Sequence, residues 1–174
     1  MTLATYPAVP PPEETGQTFE DNARQKALYY AAATGELTVA EDSGLEIDAL
    51  GGAPGVESAR FGGADTSYAH KFSMLYDALR GIGRTGGDYA ARFVCAVALA
   101  RGTRVLFEAR GTVEGRIAPE PKGAGGFGYD PIFFYPPYER TLGEVTQEQK
   151  AAVSHRGAAF RKLREFLLLG FEHQ

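Results

Sequence analysis

The 174-residue chain is predicted to be one α/β domain with a mixed β-sheet. Apolar residues recur at helical spacing near the start, in the middle and at the end of the chain, and between them an alternation of period two runs from Ala91 to Glu114. The length is that of one unit, able to bury about 70% of its unfolded surface without metals or disulfides. With 44% hydrophobic and 23% charged residues, disordered and fibrous classes are excluded.

Taken in order, residues 1–17 carry Pro7, Pro10, Pro11, Pro12 and Gly16 and form an extended, Pro-rich lead. Thr18 is a plausible N-cap for a helix whose face holds Phe19, Ala23, Lys26, Ala27, Tyr30 and Ala31, and Gly35 is placed to end it. Lys26 interrupts this apolar stripe; its ammonium either snorkels from the core edge or points at a buried anion. Leu37 to Ala40 is a short β-prone run that Glu41-Asp42-Ser43-Gly44 is expected to stop with a turn. Tyr68, Phe72, Leu75 and Leu79 define a structural helix at about 66–80 with His70 on its polar side, and a glycine-rich connection follows at 81–87.

Ala91, Phe93, Cys95, Val97 and Leu99 then alternate along one strand. Gly102-Thr103 turns the chain into a second strand through Val113, giving a long antiparallel hairpin. Residues 117–140 form a long Pro/Gly/aromatic loop. Its Gly123, Gly125 and Gly128 spell GxGxxG, but no strand leads into them and Pro131, Pro136 and Pro137 forbid the helix that a dinucleotide site requires. The last helix is capped by Ser154, buries Phe160, Leu163, Phe166 and Leu167, and ends by Gly170; His173 lies in the tail and carries no assigned role.

A net charge of −4 and a pI of 5.4 argue against a duplex-binding surface. Cys95 has no partner cysteine and reads as a small buried hydrophobe. No signal peptide and no spanning apolar stretch is evident, so the expected location is cytoplasmic, with neither membrane nor nucleic acid as a partner.

Chemistry concentrates in residues 41–60, where acids and glycines crowd together. Adjacent carboxylates such as Glu41 and Asp42 suit a hard divalent cation bound through oxygen, although Asp-Ser-Gly alone is also what a solvated turn contains. Phe127 and Tyr129 beside Asp130 either stack on a base and bind its polar edge or fill the core of their loop. His155 and Arg156 open the last helix, where cations oppose the helix dipole, so an anion or a polar purine edge would better account for them; Lys150 is close enough to reach the same pocket.

The run Glu-Asp-Ser-Gly-Leu, Ala-Leu-Gly-Gly-Ala-Pro-Gly and Ser-Ala-Arg, with Gly126-Phe127-Gly128-Tyr129-Asp130-Pro131-Ile132-Phe133 and Ser154-His155-Arg156, resembles the inosine/xanthosine triphosphate pyrophosphatase family from about Glu13 onward. The resemblance implies an elongated, two-lobed α/β fold, usually dimeric, with its active site in a central cleft. The implied reaction is Mg²⁺-dependent hydrolysis of ITP, dITP or XTP to the monophosphate and pyrophosphate. Carried over residue by residue, Asp42 is the general base, Glu14, Glu41 and Asp42 hold Mg²⁺, and Lys26, Ser43, Phe127, Gly128, Tyr129, Asp130, Lys150, His155 and Arg156 bind substrate. The family normally begins with a strand and a Ser/Thr-x-Asn-x-x-Lys loop, where this chain has Met-Thr-Leu-Ala-Thr-Tyr-Pro. The alternative class is therefore a catalytically weak nucleotide-binding or oligomerisation module. Single-stranded nucleic-acid binding through Phe127 and Tyr129 is disfavoured by the lack of a basic groove.

Overall fold

The computed structural model describes Tyr6, residues 9–83 and residues 89–170. The expectations for Pro7, for the end of the glycine-rich connection and for His173 fall outside them.

Helix α1, Phe19–Thr34, forms where its caps predict. Thr18 accepts a hydrogen bond from the Asp21 backbone N–H, and Gly35, at φ 74°, donates its N–H to the Ala31 carbonyl. The buried face of α1 is Phe19, Ala23, Ala27 and Ala31, and it packs on Val94, Ala96, Ala98 and Ala100 of strand β2, Tyr89–Arg101. Small side chains on both surfaces let the helix lie close to the sheet. The opposite face of β2 sends Cys95, Val97 and Leu99 against Ala159 and Leu163 of helix α4, His155–Gly170. Buried on both sides, this interior strand is apolar nearly throughout.

Strands β1 (Thr38–Ile47), β2, β3 (Arg104–Ile117), β4 (Phe133–Tyr135) and β5 (Arg140–Thr141) form one sheet in that order, with every pairing antiparallel. The α/β class holds, but the sheet of the described residues is antiparallel where a mixed one was expected. The β2–β3 hairpin turns at the predicted place, with Arg101 opposite Arg104. Strand β1, in contrast, does not stop at Glu41: its ladder with β2 runs unbroken from Thr38↔Ala100 to Ile47↔Ala91. The two acids can stay in the strand because pleating sends them to opposite faces and each meets a cation there.

At the other end of the sheet, helix α2 (Tyr68–Gly81) buries Phe72, Leu75 and Leu79 with Leu45, Ile47, Phe93, Ile132 and Phe133. The segment expected to be a loop contributes β4 and β5 to the sheet, and 3₁₀ turns occupy Asp130–Ile132 and Pro136–Tyr138. A short helix α3, Gln147–Ala152, is closed by a reciprocal Thr146/Gln149 capping box that the sequence reading missed. On α4, Ser154 accepts from the Gly157 N–H as predicted. Phe166 stacks on Phe107, whereas Phe160 and Leu167 are exposed rather than buried, because the helix meets the sheet along the face that carries Ala159, Leu163 and Phe166.

Candidate active site

Strand pleating divides the site between the two faces of β1. Asp42, opposite Ala96, faces α1; Glu41, opposite Val97, faces α4. On the α1 side the Lys26 ammonium stands between two carboxylates, 2.7 Å from Glu14 Oε1 and 3.0 Å from Asp42 Oδ1. Lys26 therefore points at partly buried anionic groups and does not snorkel. The other Asp42 oxygen, Oδ2, accepts from Asn22 Nδ2 at 3.1 Å, and Arg60 donates to Glu14 Oε2 at 3.1 Å.

Burial pushes the Asp42 carboxyl above its ordinary value, and the Lys26 and Asn22 hydrogen bonds offset this only in part. Glu14 is shifted the other way: burial would raise it, but Lys26 and Arg60 together hold it low. For Lys26, the bonds to Glu14 and Asp42 outweigh burial and keep it charged. The negative neighbour of Asp42 is thus Glu14, not the adjacent Glu41.

Two carboxylates that already share one cation fit the donor set of Mg²⁺, a hard ion commonly held by one or two carboxylates with water and phosphate completing its shell. Glu14 and Asp42 are those two. Glu41 is a correction: among the described residues no three acidic, His or Cys side chains are placed to hold a metal ion together, and Glu41 lies across the sheet from Asp42.

On the α4 side, Glu41 accepts from Arg156 at 2.7 Å and from the Cys95 thiol at 3.2 Å. Burial pushes the thiol well above its ordinary range, and Glu41 adds to the shift, so Cys95 is no nucleophile. Ser43 belongs to this face too, in register with Cys95. His155 stacks on Phe93 with ring centroids 5.1 Å apart. Its position depends on Gly111, where any Cβ would collide with the His155 carbonyl oxygen, so the start of α4 can rest directly on β3. Burial, with Arg156 and Lys150 nearby, lowers the His155 pKa to about 4. The imidazole is therefore neutral, which corrects the view of this helix start as a pair of cations.

The segment before α3 adds the remaining groups. Phe127 is 78% exposed, edge-on to Tyr68, and free to meet a flat ligand. Tyr129 is buried and donates its hydroxyl to the Ser58 carbonyl at 2.8 Å, so its ring supports the site and does not stack on a ligand. Asp130, 1% exposed, accepts from Lys150 and from the Phe127 N–H, which fixes the backbone around Gly128. Lys150 is thereby committed to Asp130. Sequence reasoning missed Asn22, Arg60 and Lys71; the last is 2% exposed and donates to the Ala59 carbonyl beside the Tyr68 ring. Residues 58–60 consequently join Tyr129, Lys71 of α2 and Glu14 through three successive contacts.

An antiparallel sheet clothed by helices, with Glu14 and Asp42 sharing Lys26 on one face of β1 and Arg156 paired with Glu41 beside His155 on the other, defines an α/β protein with charged groups on both faces of one strand. Sequence comparison supplies the family: the chain belongs to the Ham1 family, whose model matches residues 1–166. The dITP/XTP pyrophosphatase of an Exiguobacterium species is 48% identical over 162 residues, spanning 93% of this chain and 81% of the relative. That of Desulforamulus reducens is 44% identical over 174 residues, spanning 100% and 86%. Among solved structures, a HAM1 protein from Coxiella burnetii superimposes with a TM-score of 0.88 at 41% identity, covering 94% of this chain and 83% of that one. The nucleoside-triphosphatase, dITP/XTP pyrophosphatase, of Mycobacterium abscessus gives 0.78 at 40% identity, covering 96% and 84%. No helix of the described residues is long and apolar enough to cross a membrane.

Proposed function

We propose that this chain hydrolyses deaminated purine nucleoside triphosphates, ITP, dITP and XTP, to the monophosphate and pyrophosphate with Mg²⁺ as cofactor. Its enzyme class, a nucleoside triphosphate pyrophosphatase acting on an acid anhydride, follows from its family and from the names its relatives carry. The observation that carries the finer reading is the convergence of Glu14 and Asp42 on one cation, the Lys26 ammonium.

Asp42 accepts the proton of the attacking water. Two of its four lone-pair sites are used by Lys26 and Asn22, and burial raises its proton affinity toward what a general base needs. Bound by Glu14 and Asp42, Mg²⁺ would neutralise phosphate charge. Lys26 supplies a fixed positive charge at the same place, and its pairing keeps it protonated.

The base end is read by hydrogen-bond polarity. A neutral His155 offers one donor and one acceptor and Arg156 offers donors only, so together they match the 6-oxo and N1–H edge of hypoxanthine or xanthine. Adenine presents the inverse pattern and would leave the Arg156 donors facing its 6-amino group unpaired. Phe127 supplies an exposed ring for stacking. Homodimer formation, which the family resemblance implies, and a cytoplasmic location belong to the same proposal.

Pyrophosphate release from ITP by Asp42→Asn beside the native chain tests this reading. Loss of the base lowers kcat by about 10²–10⁴-fold while the urea-unfolding curve keeps its shape; a variant with native kcat rejects Asp42 as the base.

A further inference from the structure

The catalytic proposal leaves unexplained why a fully buried amide lies in α1. Asn22 has 0% exposure, and its side chain bonds in two directions. Its Oδ1 accepts the Gly16 backbone N–H at 2.8 Å, and its Nδ2 donates to Asp42 Oδ2 at 3.1 Å. The orientation of the amide is fixed by chemistry: a backbone N–H can only donate, so the oxygen must face Gly16 and the nitrogen must face Asp42. Gly16 lies two residues after Glu14, and a Cβ there would stand 2.5 Å from Asn22 Oδ1, so only glycine lets the arm lie this close. One amide thus grips both the arm that carries Glu14 and the strand acid itself. Lys26, one turn further along the same helix, bridges the two carboxylates.

We propose that Asn22 is a positioning residue that sets Glu14 and Asp42 in the relative placement needed to bind one divalent cation. This rests on the reading of the two acids as a metal pair. Asn22 touches no substrate and acts only through the acids it holds. Its replacement is therefore felt first in cation affinity and in kcat, and little in nucleotide KM.

The test uses the full chain with Mn²⁺ as a paramagnetic stand-in for Mg²⁺. Free Mn²⁺ is counted by electron paramagnetic resonance, without nucleotide, for the native protein, for Asn22→Leu, which keeps the branched outline and deletes both bonds, and for Asn22→Asp, which keeps the acceptor for Gly16 and deletes the donor to Asp42. Asn22→Leu is expected to bind Mn²⁺ about tenfold or more weakly. Asn22→Asp is expected to lower kcat for ITP about tenfold or more with KM within about threefold. If folded Asn22→Leu binds Mn²⁺ as the native chain does, or if Asn22→Asp keeps native kcat, the proposal is overturned. If Asn22→Leu fails to fold, the kcat-to-KM split of Asn22→Asp decides. Should the native chain bind Mn²⁺ yet release no pyrophosphate, the pyrophosphatase reading falls and the Mn²⁺ comparison still decides the role of Asn22.

Discussion

Replacing Lys26 with Met keeps much of the side-chain volume and removes the one charge that two carboxylates share. Lys26, Glu14 and Asp42 have side-chain exposures of 17%, 29% and 11%, so little water is at hand to replace the ammonium. Deleting one partner of a buried pair costs about 3–5 kcal/mol. Glu14 keeps Arg60 and Asp42 keeps Asn22, which places the expected loss near the lower end, about 3 kcal/mol, or about 6–12 °C in Tm for a chain of this size. The pH dependence follows from Asp42, which burial already holds above the unfolded value of 3.8 and which rises further without Lys26. Above that elevated pKa the penalty is present in full. As pH falls through it toward 3.8, the native state takes up the proton before the unfolded state does, and the variant regains stability relative to the native chain. Urea unfolding in a pH series from about 7.5 down toward the unfolded value of 3.8, with and without Mg²⁺, measures all of this. Mg²⁺ is expected to restore more stability to the variant than it adds to the native protein. A loss below about 1 kcal/mol, or a loss indifferent to both pH and Mg²⁺, would refute the shared-cation account.

Other perturbations address the second face of β1 and the packing behind it. Arg156→Ala should raise KM for ITP and erode discrimination against ATP in steady-state kinetics; an unchanged ITP/ATP ratio would remove Arg156 from base reading. Because the folded His155 pKa is depressed from 6.5 to about 4, the unfolded state binds the extra proton first. Stability should therefore decline as pH falls from about 6.5 toward 4, and His155→Gln should flatten that slope in a pH series of denaturation midpoints. Gly111→Ala forces the start of α4 off β3, and a loss of about 2–4 kcal/mol by urea denaturation is expected, with weaker ITP binding because His155 and Arg156 move together.

How far the chain could be read in advance depends on the kind of signal. Helix α1, the hairpin and the Ser154 cap were legible because each rests on local chemistry: Thr18 and Gly35 at the ends of one stripe, Gly102-Thr103 between alternating runs, and a hydroxyl before a helix. Two adjacent acids look like a stop, so local chemistry alone ends strand β1 at Glu41. Only the tertiary pairing of Glu41 with Arg156 and of Asp42 with Lys26 shows that they can remain in a ladder. The same pleat separates Glu41 from the metal pair, although period two was already available as a signal. Asn22, Arg60 and Lys71 were missed for a different reason: each acts through a partner distant in sequence, 20, 46 and 12 residues away. Tyr129 was misjudged because burial of its ring depends on α2, and no local pattern in its own segment reports that.

The most direct test of the central claim is the specificity constant for pyrophosphate release from ITP, XTP and dITP against ATP and GTP, with and without Mg²⁺. The account predicts Mg²⁺-dependent formation of monophosphate and pyrophosphate, with kcat/KM for ITP and XTP exceeding that for ATP by about 10²-fold or more. Equal rates on ATP and ITP, or turnover indifferent to Mg²⁺, would contradict it.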